Sequence, residues 1–160
     1  VNTVFFDKKG NSVGYNTDAH GFQKALIEKL NEIPKYALIL GTGGASQAVS
    51  YSLQKMGIQF KVVSRNTDKN FINYNDINKD IIETYRLIIN TTPLGTYPKI
   101  NDIPPIPYHL INKSNILYDL IYNPKETLFL KNGKDKGCIT INGYKMLVYQ
   151  AEKSWQIWNK

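Results

Sequence analysis

Gly41-Thr42-Gly43-Gly44-Ala45-Ser46 follows an apolar run of strand length and opens a helical pattern, and Ser64-Arg65-Asn66 closes the next apolar run. Glycines in that setting can cradle phosphate. The first makes the tight turn, the second lets backbone approach a pyrophosphate, and the helix N-terminus adds free N–H groups and a positive dipole end. Ser46 replaces the third glycine of the usual fingerprint, so the helix is expected slightly farther from the sheet. The plainer alternative is an ordinary glycine-rich turn between a strand and a helix.

The second cluster addresses which nucleotide the turn would serve. Ser64 stands 23 positions beyond Gly41, about where NAD-selective folds place an acid that accepts a hydrogen bond from the ribose 2′-hydroxyl. Here no acid occurs until Asp68. A carboxylate would repel a 2′-phosphate, whereas Arg65 can grip it bidentately and Lys69 can add a second positive charge. The residues therefore point to NADP as cofactor, against the alternative of a merely solvated arginine.

The elements needed to position these groups are legible as an alternation. Val1–Phe6 and Ser12–Tyr15 flank the turn Asp7-Lys8-Lys9-Gly10 and read as a hairpin. Phe22, Leu26 and Leu30 form the stripe of an amphipathic helix over Asp18–Leu30, ended by Pro34. Strand Tyr36–Leu40, helix Ala45–Met56 and strand Gln59–Val63 follow, then a polar stretch with a short helix near Asp80, and strand Arg86–Ile89. Asn90–Pro107, rich in proline and polar residues, is expected as a long loop at a strand's carboxyl end. Strand Asn115–Leu120, helix Lys125–Lys134, strand Cys138–Ile141 and helix Gly143–Trp158 complete the chain. Strands separated by helices imply right-handed crossovers, hence an α/β, Rossmann-like, doubly wound and mainly parallel sheet with helices on both faces.

Bulk properties bound the function. The 160 residues make one domain with a real core, 42% of them apolar. The net charge of +7 comes from scattered lysines without a run of like charges, so no nucleic-acid partner is expected. Cys138 stands alone, which excludes an intrachain disulfide, leaves no Cys/His spacing for a metal, and fits a cytoplasmic location. Apolar runs such as Ala37–Leu40 are far too short to span a bilayer, so no membrane partner is expected.

Four further motifs accompany the glycine turn: Gly14-Tyr15-Asn16-Thr17-Asp18 with Gly21-Phe22; Asn90-Thr91-Thr92-Pro93-Leu94-Gly95; Tyr118-Asp119-Leu120-Ile121-Tyr122-Asn123-Pro124 with Glu126-Thr127; and Asn142-Gly143-Tyr144-Lys145-Met146-Leu147-Val148-Tyr149-Gln150-Ala151. In this order they resemble the cofactor-binding domain of shikimate dehydrogenase, from Asn2 to Trp158. The resemblance implies NADP-dependent, reversible reduction of 3-dehydroshikimate to shikimate, in the route to aromatic amino acids. It matches Asp18 to the family's catalytic and substrate-gripping aspartate, and Tyr122 and Gln150 to substrate-cleft residues. Ile121, Gly143 and Met146 would lie by the nicotinamide, and Asn90, Thr91 and Thr92 would face ribose or diphosphate.

The residues by themselves leave alternatives open. Asp18 precedes a helix and can serve as its N-cap. Met146 can be core filler, Tyr122 a half-buried aromatic, and the Asn90–Thr92 side chains loop caps. The resemblance also places the family's catalytic lysine in a preceding substrate domain. The chain, which begins at Val1, is therefore expected to be the C-terminal part of a longer enzyme, with half an active site and little activity alone. Ser64-Arg65-Asn66 departs from the family's usual Asn-Arg-Thr, and Thr96-Tyr97 stands where a methionine is common. A quinate-directed relative and a non-catalytic NADP-binding module are the competing readings.

Overall fold

The computed structural model describes residues 1–66 and 70–160. Its centre is a six-stranded parallel sheet in the order β5-β4-β3-β6-β7-β8. These strands are β3 (Tyr36–Leu40), β4 (Gln59–Ser64), β5 (Ile72–Asn73), β6 (Leu87–Asn90), β7 (Ile116–Asp119) and β8 (Ile139–Ile141). A separate antiparallel pair, β1 (Thr3–Phe6) and β2 (Ser12–Tyr15), forms the expected hairpin.

The continuous apolar strands are buried on both faces, as a parallel sheet between helices requires. Ala37 and Ile39 of β3 join one core with Phe22 and Leu26 of α1 (Asp18–Lys29) and Val49 and Leu53 of α2 (Gly44–Lys55). Met146 and Tyr149 of α5 (Tyr144–Trp158) pack against the same core. Leu38 and Leu40 point the other way, to Ile82 of α3 (Lys79–Thr84), Phe129 and Leu130 of α4 (Leu128–Asp135), and Ile106. The two-residue period of β3 thus divides its side chains between two cores.

The topology fixes where a ligand can sit. From β3 the chain winds outward through β4 and β5, then crosses back to β6 on the other side of β3. The carboxyl ends of β3 and β6 therefore border the crevice at which the strand order reverses.

Some element boundaries differ from the expectation. The polar stretch after β4 contains the two-residue strand β5, which pairs with Val63 and Ser64, and a 3-10 turn at Tyr74–Asp76. α4 starts at Leu128 rather than Lys125 because the Thr127 hydroxyl accepts the N–H of Leu130 at 3.4 Å and caps the helix there. A second 3-10 turn, Tyr108–Leu110, lies between the long loop and β7.

Two glycines let backbones meet. A Cβ on Gly21 would lie 2.5 Å from the carbonyl oxygen of Met146, so glycine permits α1 and α5 to touch. A Cβ on Gly143 would lie 1.9 Å from the carbonyl oxygen of Leu120, at the crossing between the end of β7 and the start of α5. The hairpin docks on α5: the Trp158 indole N–H donates to the Val4 carbonyl at 2.9 Å.

Candidate functional site

A cleft of about 900 Å³ opens at the carboxyl ends of β3, β4 and β6. Its walls bring together Gly41, Thr42 and Gly43 with Ser64, Arg65 and Asn66, and with Thr91 and Thr92. Gly44 and Ala45 open α2 beside it and are exposed. Lys69 lies outside the described residues.

Gly41 has φ +104°, a conformation that favours glycine, and a Cβ there would press to 2.9 Å from Thr92 Cγ2. Its N–H donates to the Val63 carbonyl at 2.9 Å, which fixes the turn to β4. Gly43 and Gly44 are different. Gly43 caps α2 with φ −77°, which any residue adopts, and a Cβ at either position would meet nothing within 4 Å among the described residues. The fold does not itself require those two glycines, and their bareness leaves room against the first turn of α2. That turn carries no acidic side chain of its own, so its N–H groups present a positive end. Ser46 is buried, its hydroxyl donating to the Gly43 carbonyl at 2.7 Å. The donor set fits a diphosphate.

At the rim, Ser64 is buried and its hydroxyl accepts the N–H of Asn66 at 3.0 Å, shaping the turn that presents Arg65. The Arg65 side chain is exposed, and its charge acts on the half-buried Tyr74, whose phenol is raised by burial and partly lowered by that guanidinium. Among the described residues lining the cleft, Arg65 supplies the charge and no carboxylate is present. An arginine with no acid beside it among the described lining residues suits an added anionic group on the ribose.

The opposite wall is built from strand ends. Thr91 donates both its N–H and its hydroxyl to the Leu40 carbonyl, at 3.0 and 2.7 Å, tying β6 to β3. Asn90 Oδ1 accepts the Thr92 hydroxyl at 2.6 Å and its N–H at 3.0 Å. These side chains therefore serve the loop, and Thr91 and Thr92 line the cleft as well.

Asp18 does not cap α1. The N-cap position is Thr17, and Asn16 Oδ1 accepts the Asp18 N–H at 3.0 Å, while the Asp18 carboxylate accepts from Asn2 Nδ2 at 2.9 Å. Asn2 Oδ1 in turn accepts the Thr17 N–H at 2.9 Å, and the Thr17 hydroxyl donates to Gln150 Oε1 at 3.3 Å. Asp18 and Gln150 are thus joined through Asn2 and Thr17 where α1 and α5 meet. Asp18 also shares a groove of about 630 Å³ with Gly44 and Gln47, so it lies on the α2 side of the sheet's upper edge.

The remaining residues are placed apart. Tyr122 is exposed and lines a separate pocket with Thr96, Tyr97 and Ile121. Ile121 is buried, and its carbonyl accepts the Gly143 N–H at 3.0 Å. Met146 packs partly buried against the core shared by α1 and α5. None of these residues borders the 900 Å³ cleft.

Sequence reasoning passed over Asp119, although its motif was noted. This carboxylate is fully buried, accepting from Asn90 Nδ2 at 3.1 Å, the Ile121 N–H at 3.1 Å and the Thr127 hydroxyl at 2.6 Å. Burial raises its pKa to about 6, against those three hydrogen bonds. The available signal was an acid ending the apolar strand Ile116-Leu117-Tyr118-Asp119.

No family model matches the chain. It is 46% identical over 176 residues to the shikimate dehydrogenase (NADP+) of Methanococcus maripaludis, an alignment covering 99% of this chain and 62% of that protein. The crystal structure of a chorismate mutase/shikimate 5-dehydrogenase fusion protein from Clostridium acetobutylicum superposes with a TM-score of 0.80 at 39% identity, covering 98% of this chain and 58% of that one. The shikimate 5-dehydrogenase of Thermus thermophilus, in complex with NADP(H) and shikimate, superposes with a TM-score of 0.78 at 30% identity, covering 94% and 59%. The chain spans about 62% of the length of the curated relatives it matches. By sequence and by fold, this chain is similar to the portion of these shikimate dehydrogenases that it spans.

Proposed function

We propose that this chain is the NADP-binding domain of a two-domain shikimate dehydrogenase, which reversibly reduces 3-dehydroshikimate to shikimate in the cytoplasm. The observation that carries the reading is the cleft itself. It has bare glycines at the mouth of a helix, an arginine at its rim and no carboxylate on its described lining.

In this reading the N–H groups at the start of α2 bind the diphosphate, and Arg65 binds the 2′-phosphate, with Lys69 as a second cation. Gly41, Thr42, Ala45, Thr91 and Thr92 complete the cradle, and Ser64 and Asn66 hold the Arg65 turn. Bound NADPH supplies the hydride that the ketone accepts. Asp18 holds a proton relay at the substrate oxygen together with a lysine from the substrate domain. The link through Asn2 and Thr17 keeps Asp18 and Gln150 in a fixed relation, and Gln150 and Tyr122 orient the ring hydroxyls. Ile121, Gly143 and Met146 form the nicotinamide end.

Parallel calorimetric titrations with NADPH and NADH test the reading. A charge-assisted guanidinium–phosphate pair is worth about 1.5–3 kcal/mol, so NADPH is expected to bind at least about tenfold more tightly. Arg65→Ala should remove that preference while leaving NADH binding in place. Equal affinity of the two nucleotides for the unaltered chain would refute the cofactor assignment.

A further inference from the structure

The wall of the cleft is not self-supporting. Thr92 is held by Asn90 Oδ1, and the Leu94 N–H donates to the Thr92 hydroxyl at 3.3 Å, so both cleft residues depend on where the Asn90 amide points. That amide is oriented from behind, by donating to Asp119 Oδ1 across the β6–β7 register pair Asn90↔Asp119. The same carboxylate oxygen holds the Ile121 N–H, immediately before Tyr122. The other carboxylate oxygen is taken by Thr127, the cap of α4.

We infer that Asp119 is a positioning residue for nucleotide binding: it sets the Asn90–Thr92–Leu94 wall and ties that wall to the segment carrying Tyr122. The inference rests on the proposal that the cleft binds NADPH. A buried carboxylate is an unusual choice for a purely structural post, since an apolar residue would fill the space without a charge to desolvate. Its two oxygens accept at the same time from β6, from its own following loop and from α4. That arrangement fixes three backbone segments at one point. Asp119 itself touches nothing in the cleft, so its effect passes through Asn90.

The test is NADPH affinity by calorimetry on the whole chain, beside its thermal melt. Asp119→Ala leaves the Ile121 N–H and the Thr127 hydroxyl without that acceptor and leaves the Asn90 amide N–H only its longer bond to the Leu94 carbonyl, at 3.4 Å; NADPH should bind about tenfold more weakly or worse. Asp119→Asn keeps one acceptor oxygen toward Asn90 and Ile121, and Thr127 can turn its hydroxyl to accept; affinity should return to within about threefold of the unaltered chain. A folded Asp119→Ala chain with unaltered affinity overturns the inference and leaves the NADPH reading standing. An Asn variant as weak as the Ala variant overturns the hydrogen-bond account.

Where Asp119→Ala fails to fold, Thr127→Val decides. Thr127 lies outside the cleft and reaches it through Asp119, so a loss of about threefold or more supports the inference and an unchanged Kd overturns it. If the unaltered chain takes up no NADPH, the reading beneath the inference fails, and the inference falls with it.

Discussion

Replacing Gly43 by alanine separates the two reasons a glycine can stand at the mouth of α2. Its φ of −77° is open to alanine and the new Cβ meets nothing within 4 Å among the described residues, so no strain is expected from them. Alanine is a poorer N-cap than glycine by about 0.5–1 kcal/mol. The narrower unfolded ensemble returns about 0.4–1 kcal/mol. Net stability should stay within about 0.5 kcal/mol, which for a chain of this size is a shift of about 2 °C or less in Tm. A bound diphosphate, by contrast, would need the space that the methyl takes. Losing one charge-assisted hydrogen bond at about 1.5–3 kcal/mol weakens NADPH by about tenfold to about 150-fold. Calorimetry and a thermal melt on one preparation read both quantities. Unchanged affinity at unchanged Tm would refute the diphosphate assignment. A fall in Tm of more than about 5 °C would show that the turn itself demands glycine.

Three other outcomes follow from the packing. Gly143→Ala drives a Cβ to 1.9 Å from the Leu120 carbonyl oxygen, where both neighbours are backbone; it should cost more than about 3 kcal/mol, and a melt within about 2 °C of the unaltered chain would contradict it. The Tyr118 hydroxyl is buried without a hydrogen-bond partner among the described residues while its ring stacks on Phe22 at 5.0 Å, so Tyr118→Phe should leave stability unchanged or raise it by about 1 kcal/mol; a loss of that size in urea denaturation would show a partner. Asp119 has its pKa raised from 3.8 to about 6, so its favourable linkage is complete below pH 3.8 and lost as pH rises through about 6. The stability of Asp119→Asn relative to the unaltered chain should therefore grow by up to about 3 kcal/mol between pH 4 and pH 7, and a difference independent of pH would contradict the raised carboxyl.

What was legible in advance was whatever depends on near neighbours along the chain. The apolar runs of β3 and β6, the stripe Phe22-Leu26-Leu30 and the glycine turn into α2 are local patterns, and each appears in place. Boundaries moved where a side-chain hydrogen bond decided them, as Thr127 did for α4. The two-residue β5 could not be read, because Ile72 and Asn73 are a strand only by pairing with Val63 and Ser64.

The sequence alone therefore determined the order of the longer elements, the phosphate-suited turn and the arginine after β4. Tertiary structure decided the rest. Asp18 meets Asn2 rather than capping its own helix, because the hairpin folds back beside α1. Gln150 comes to Thr17 because Gly21 lets α1 and α5 touch. Asn90 and Asp119 become partners because β6 and β7 are neighbours in register. Each of these is a contact between segments distant along the chain. Local periodicity governs how a segment folds, whereas strand order and register govern which polar ends meet, and those are set only when the whole core closes.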